Sequence, residues 1–194
     1  MRLLAPWFAS DEAEALTGQR VELRAPAMDQ FEQWRELRLA SRAFLEPWEP
    51  TWDEAESTRA SFAARVKLCR QLDNDDHGYA YFIFRRDTGA LCGGITLSNV
   101  RRGVAQTGTL GYWIGLPHVR RHLMTDAITV LVGHAFNELK LHRVEAACLP
   151  RNAASLGLLD KCGFEKEGYA ASYLKIAGRW EDHVLLAKVN GRQA

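Results

Sequence analysis

The sequence lacks any apolar run long enough to cross a bilayer, so no membrane association is expected. It also lacks an excess of charge of either sign. Its 25 Lys and Arg stand against 24 Asp and Glu, a formal net charge of +1. General nucleic-acid binders usually carry a basic excess, so no direct nucleic-acid partner is expected. Cysteine is scarce. Cys69, Cys92, Cys148 and Cys162 include no CxxC pair, which leaves neither a zinc site nor a thioredoxin-type motif, and no metal is expected. They read as free, partly buried thiols in a reducing compartment. The apolar start, residues 1–8, is short and is soon followed by Asp11, Glu12 and Glu14, which does not suit a signal peptide. The protein is therefore expected to be cytoplasmic. Internal repeats and low-complexity stretches are lacking as well.

What is present suits one domain. The chain has 194 residues, 47% of them hydrophobic and 25% charged, enough to bury a core without staples. Residues 1–18 show no clear period and read as an arm; residues 19–190 read as a single domain. Val21, Leu23 and Ala25 alternate with polar neighbours, predicting a strand that ends at Pro26. Phe31, Trp34 and Leu37 predict one face of a helix, leaving Arg35 and Arg38 toward water. Pro47 and Pro50 predict a loop over 43–52. Thr51 with Glu54 reads as a capping box that opens a helix running, with interruptions, to residue 72.

Strands are predicted over 79–84 and 91–97, joined by Asp87-Thr88-Gly89 as a hairpin. Thr107–Ile114 is a third. Met124, Ile128, Leu131, Ala135 and Leu139 form one apolar stripe, predicting a helix from about Leu123. A strand over 144–148 follows, then a short helix Ala153–Lys161 stopped by Cys162-Gly163. Strands over 165–174 and 180–189, turning at Ala177-Gly178, close the chain. This order predicts an α/β (α+β) domain, a mixed sheet with helices on both sides.

Several motifs fall in order along it. Phe44-Leu45-Glu46-Pro47-Trp48-Glu49-Pro50 comes first. Leu110-Gly111-Tyr112-Trp113-Ile114-Gly115 leads to Leu123-Met124-Thr125-Asp126-Ala127, then His142-Arg143-Val144-Glu145-Ala146 and Asn152-Ala153-Ala154-Ser155. Cys162-Gly163-Phe164-Glu165 and Gly178-Arg179-Trp180-Glu181-Asp182-His183 complete the pattern. Together, from about Arg20 to about Lys188, they resemble the GNAT acetyltransferase superfamily, and within it the RimJ-type ribosomal-protein-alanine N-acetyltransferases. The resemblance implies a GNAT-like, mostly antiparallel sheet and acetyl transfer from acetyl-coenzyme A (acetyl-CoA) to the N-terminal α-amine of a protein, such as a ribosomal protein.

The resemblance also assigns candidate residues. Val119, Arg120, Arg121, His122, Leu123, Met124 and Thr125 match the cofactor turn, where a helix N-terminus offers free N–H groups to a pyrophosphate. The glycines that similar proteins carry at positions 120 and 122 are replaced here. Arg120 and Arg121 bring charge that can strengthen bonds to phosphate, while side chains at 120 and 122 crowd a turn that glycine would fill freely. Trp113 and Ile114, on a central strand expected to splay from its neighbour, are candidates to polarise the thioester carbonyl. Asn152 is a candidate for binding the pantetheine and, equally, a helix N-cap; Ser155 is a candidate acid for the departing thiolate.

Candidate bases are Glu49, placed first, then Glu46, Glu145 and Tyr112. Glu145, on a strand, has the prospect of a raised pKa through burial. Glu46, Trp48, Glu49 and Tyr173 are candidate walls of the acceptor site, with His183 a minor candidate near it. The acids Asp53, Glu54 and Glu56 suit a helix N-terminus without any further role. Two other functions stay open: a degenerate, non-catalytic domain that binds a protein, and an acetyltransferase for small-molecule amines.

Overall fold

The computed structural model describes residues 15–191. Fourteen of the eighteen residues of the expected arm lie outside it. The remainder includes β1 (Leu16–Thr17), which pairs antiparallel with β2 (Val21–Arg24). Then come α1 (Phe31–Ala40), α2 (Arg42–Leu45) and α3 (Arg59–Asn74). Strands β3 (Tyr79–Arg85), β4 (Leu91–Arg101) and β5 (Thr107–Ile114) precede α4 (Leu123–Asn137). The chain ends with β6 (Arg143–Cys148), α5 (Ala153–Lys161), β7 (Glu165–Ile176) and β8 (Arg179–Val189). The eight strands form one sheet in the order β1-β2-β3-β4-β5-β6-β8-β7. Every pairing is antiparallel except β5 with β6.

Strand alternation divides the apolar residues between two cores. Ile83 of β3, Ile95 and Leu97 of β4 and Val144 of β6 pack with the α4 stripe, in which Ala127, Ile128 and Leu131 are fully buried. Phe82 and Phe84, on either side of Ile83, point the other way and meet α1 and α3. There Phe62 lies 4.9 Å from the Trp34 ring and 5.3 Å from Phe31, and stacks on Phe82 at 6.0 Å. Helices therefore cover both faces, as the element order predicts.

Three local expectations change. The loop over 43–52 is largely helical: α2 runs to Leu45 and a 3-10 turn covers Glu46–Trp48, with Pro47 in the opening positions where its missing N–H costs nothing. The helix does not open at Thr51. Asp53 caps a 3-10 turn at Glu54–Ser57 by accepting from the Ala55 N–H, and Thr58 caps α3 by accepting from the Ser61 N–H. Arg38 does not face water; its side chain is 15% exposed and lies in an aromatic slot described below.

Candidate active site

The parallel ladder between β5 and β6 is short. Thr107, Gly108 and Thr109 pair with Arg143, Val144 and Glu145, and beyond that point the two strands have no register partners in each other. Residues 110–114 remain paired to β4, and residues 146–148 to β8, so a wedge opens between β5 and β6 while the sheet on either side stays intact. The Gly115 N–H donates to Cys92 on β4. Backbone groups alternate along a strand, so the Trp113 N–H also turns toward β4 and the Ile114 N–H turns into the wedge. Of the two candidates for polarising a carbonyl, Ile114 has the free direction.

One hydrogen bond crosses the wedge. The Tyr112 hydroxyl lies 2.6 Å from Ser155 Oγ, and either oxygen can be the donor. Ser155 is placed by α5, which Asn152 caps by accepting from the Ser155 N–H at 3.1 Å. Burial pushes the Tyr112 phenol well above its usual range, more than the bond from Ser155 pulls it down. Tyr112 therefore stays protonated, which suits it to donating and not to the base role.

Ahead of α4 the chain runs through Val119 into Arg120 and His122, both left-handed at φ 59°. These are the two positions where glycine was expected, and the backbone keeps the conformation that glycine favours. The helix N-terminus carries no side-chain cap, so the first-turn N–H groups are free to meet an anion. Leu123 and Met124 are buried and root the turn in the core; Arg120, Arg121 and His122 are exposed, and Thr125 is half-buried. His118, just upstream, is held below the usual imidazole value by burial and by Arg85 and Arg121. Asp126 is turned away from the helix end. Its carboxylate accepts from the N–H groups of Gln19, Arg20 and Val21 at 3.3, 2.7 and 3.0 Å, and the first turn keeps its positive character.

The candidate carboxylates are all engaged. Glu49 accepts two bonds from Arg38, each 2.7 Å, and one from the Trp52 indole at 2.9 Å. Glu46 pairs with Arg42 at 3.1 Å. Glu145 sits at the closed end of the wedge, paired with Arg143 at 2.9 Å and Arg101 at 3.5 Å. Trp48 lies under Arg151, 5.9 Å from its ring centre. The ring of Tyr173, itself 46% exposed, meets His183 edge-on at 5.8 Å. His183 is buried at 3% exposure, with Nδ1 3.0 Å from the Glu181 carbonyl. Sequence reasoning missed Arg38 and Arg151. Arg38 lies one position from the apolar stripe of α1, a spacing that reads as solvent-facing, and the only signal for it is the number of Trp and Glu residues in the following loop.

Among the described residues no cluster of His, Cys, Asp and Glu could hold a metal ion, and no helix is long and apolar enough to cross a membrane.

The ribosomal protein uS5-alanine N-acetyltransferase of Escherichia coli K12 is 37% identical over 147 residues, 76% of each chain. The Bacillus subtilis protein named "Probable N-acetyltransferase YjcK" is 34% identical over 175 residues, 90% of this chain and 97% of that one. Among solved structures, RimJ of Mycobacterium smegmatis in complex with CoA-disulfide superposes with a TM-score of 0.87 at 29% identity, over 91% of this chain and 88% of that one. Residues 20–165 match the acetyltransferase (GNAT) domain family, and the chain belongs to that family as an N-acetyltransferase.

Proposed function

We propose that the protein transfers the acetyl group of acetyl-CoA to the N-terminal α-amine of a protein in the cytoplasm, of the ribosomal-protein-alanine type. The observation that carries this reading is the wedge beside an uncapped helix: one accepts a thioester arm, the other its diphosphate. The relatives support it, since one is named for acetylating ribosomal protein uS5 and another is held with a CoA disulfide.

Bound acetyl-CoA would supply the activated acetyl group. The first-turn N–H groups of α4, with Arg120 and Arg121, would hold the pyrophosphate. The left-handed backbone at Arg120 and His122 retains the cradle without its glycines, which weighs against a degenerate binding module. The Ile114 N–H would polarise the carbonyl that gathers negative charge. Ser155 would pass its proton to the departing sulfur and regain one through Tyr112, whose phenol recovers the proton that the acylated amine releases, so both hydroxyls end as they began. A thiol has a pKa of about 8.5, so modest help suffices.

The amine needs little activation. An α-amine with a pKa of roughly 7.7–8.0 is partly neutral at pH 7. We assign neither Glu49 nor Glu145 the base role, because their oxygens already accept from arginines. Glu46, Trp48, Glu49 and Tyr173 remain the proposed acceptor walls. Incubation with acetyl-CoA and peptides starting with alanine, beside a panel of small amines, tests the reading. Acetyl gain on the peptide α-amine supports it; gain on the small amines alone, or none, overturns it.

A further inference from the structure

We infer that Arg38 is a positioning residue for the acceptor, holding residues 46–52 as a strap across the wedge. The inference rests on the proposed acetyl transfer, since it names what shapes the acceptor side of that site.

On the β5 side four groups are layered. Gly94 leaves room for Trp113: a Cβ there would lie 2.4 Å from the indole nitrogen. The Arg38 guanidinium covers Trp113 at 4.9 Å and Trp52 at 4.1 Å, so it is held between the two indoles. Its N–H groups point at Glu49, both of whose oxygens accept. The pair is shielded, with side-chain exposures of 15% and 20%, so it is less screened than a surface ion pair.

On the other side of the wedge the same segment is tied again. The Ala177 N–H, at the tip of the β7–β8 turn, donates to the Glu49 carbonyl at 2.9 Å. Arg151 lies over Trp48 and pairs with Glu181 of β8 at 2.9 Å. Glu49 thus joins both edges of the wedge, its side chain toward α1 and β5 and its backbone toward β7 and β8. The strap spans what the short β5–β6 ladder leaves open. An amine approaching Ile114 from this face must pass it.

Only a planar guanidinium meets two carboxylate oxygens and two indole faces together; an ammonium does not. Two variants, R38K and W52F, test the inference. Hydrogen exchange at the Ala177 amide is read first, with the α4 amides as the folding control. About tenfold faster exchange at Ala177 with α4 unchanged is expected. The KM for an alanine-starting peptide should rise about tenfold while that for acetyl-CoA stays within about twofold. Unchanged Ala177 exchange in both variants, or equal rises in both KM values, overturns the inference. Wild-type protein that acetylates no peptide would instead overturn the proposed function, and the exchange result would still judge the strap.

Discussion

Tyr112 and Ser155 are hydrogen-bonded at 2.6 Å although one stands on β5 and the other on the helix that follows β6. Where the backbone ladder between those strands stops, two side chains continue the connection. The phenol is kept protonated by burial, and in the proposed reaction the pair would relay a proton to the departing sulfur.

Replacing Ser155 with Ala is expected to lower kcat by about a hundredfold, the lower end of acid catalysis, because a thiolate leaves readily. The KM for acetyl-CoA should stay within about threefold. Tyr112→Phe should follow the same pattern more weakly. Steady-state kinetics on both variants checks this, and an S155A kcat equal to wild type removes Ser155 from the mechanism.

The left-handed residues offer a second test. His122→Gly relieves a side chain at φ 59° and exposes no new apolar surface. Against glycine's greater unfolded-state freedom, the net gain should be about 0.5–1 kcal/mol. That is a Tm rise of ~2 °C for a chain of this size. His122→Val should lower the Tm instead, since a β-branched residue is poorly suited to this region. Thermal unfolding of the two variants decides it.

Gly18 and Asp126 form a third. A Cβ on Gly18 would lie 2.6 Å from the Asp126 carboxylate that three backbone N–H groups hold. Gly18→Ala and Asp126→Ala should each cost roughly 1–3 kcal/mol, the first by crowding and the second by leaving N–H groups unpaired. Urea unfolding measures both. Their sum should exceed the cost of the double variant, because they break the same contact.

Acid should weaken the fold before carboxylates titrate. Burial holds His118 and His134 below the ordinary imidazole value; Arg85 and Arg121 add to this at His118, while Glu138 and Asp73 oppose it at His134. The unfolded chain then takes up protons near pH 6.5 that the folded chain refuses. Their contribution is present above that pH and is lost as pH falls toward the folded values. Urea midpoints at pH 7.5 and 6.0 should differ in wild type and converge in H118Q/H134Q.

The strand and helix order was legible because its signals are local. The α4 stripe, the β3–β4 turn and the paired left-handed Ala177 and Gly178 each announce themselves over a few residues. Asn152 and Ser155 were legible for the same reason, as a cap and the residue it caps. The partners of Glu49 were not legible because they are Arg38, eleven residues upstream, and Ala177, across the sheet. Sequence spacing shows a carboxylate in a loop but not the guanidinium that consumes it. The cradle was half legible. The replaced glycines suggested crowding at positions 120 and 122, and the backbone there keeps left-handed angles beside the buried Leu123 and Met124.

The proposed acetyl transfer depends on the wedge and the uncapped start of α4 receiving acetyl-CoA. Calorimetric titration of the purified protein with acetyl-CoA tests this without needing an acceptor. One site per chain is expected, with a Kd in the micromolar range that weakens when Arg120 and Arg121 are both changed to Glu. Absence of binding up to millimolar acetyl-CoA, or binding indifferent to that double change, would contradict it.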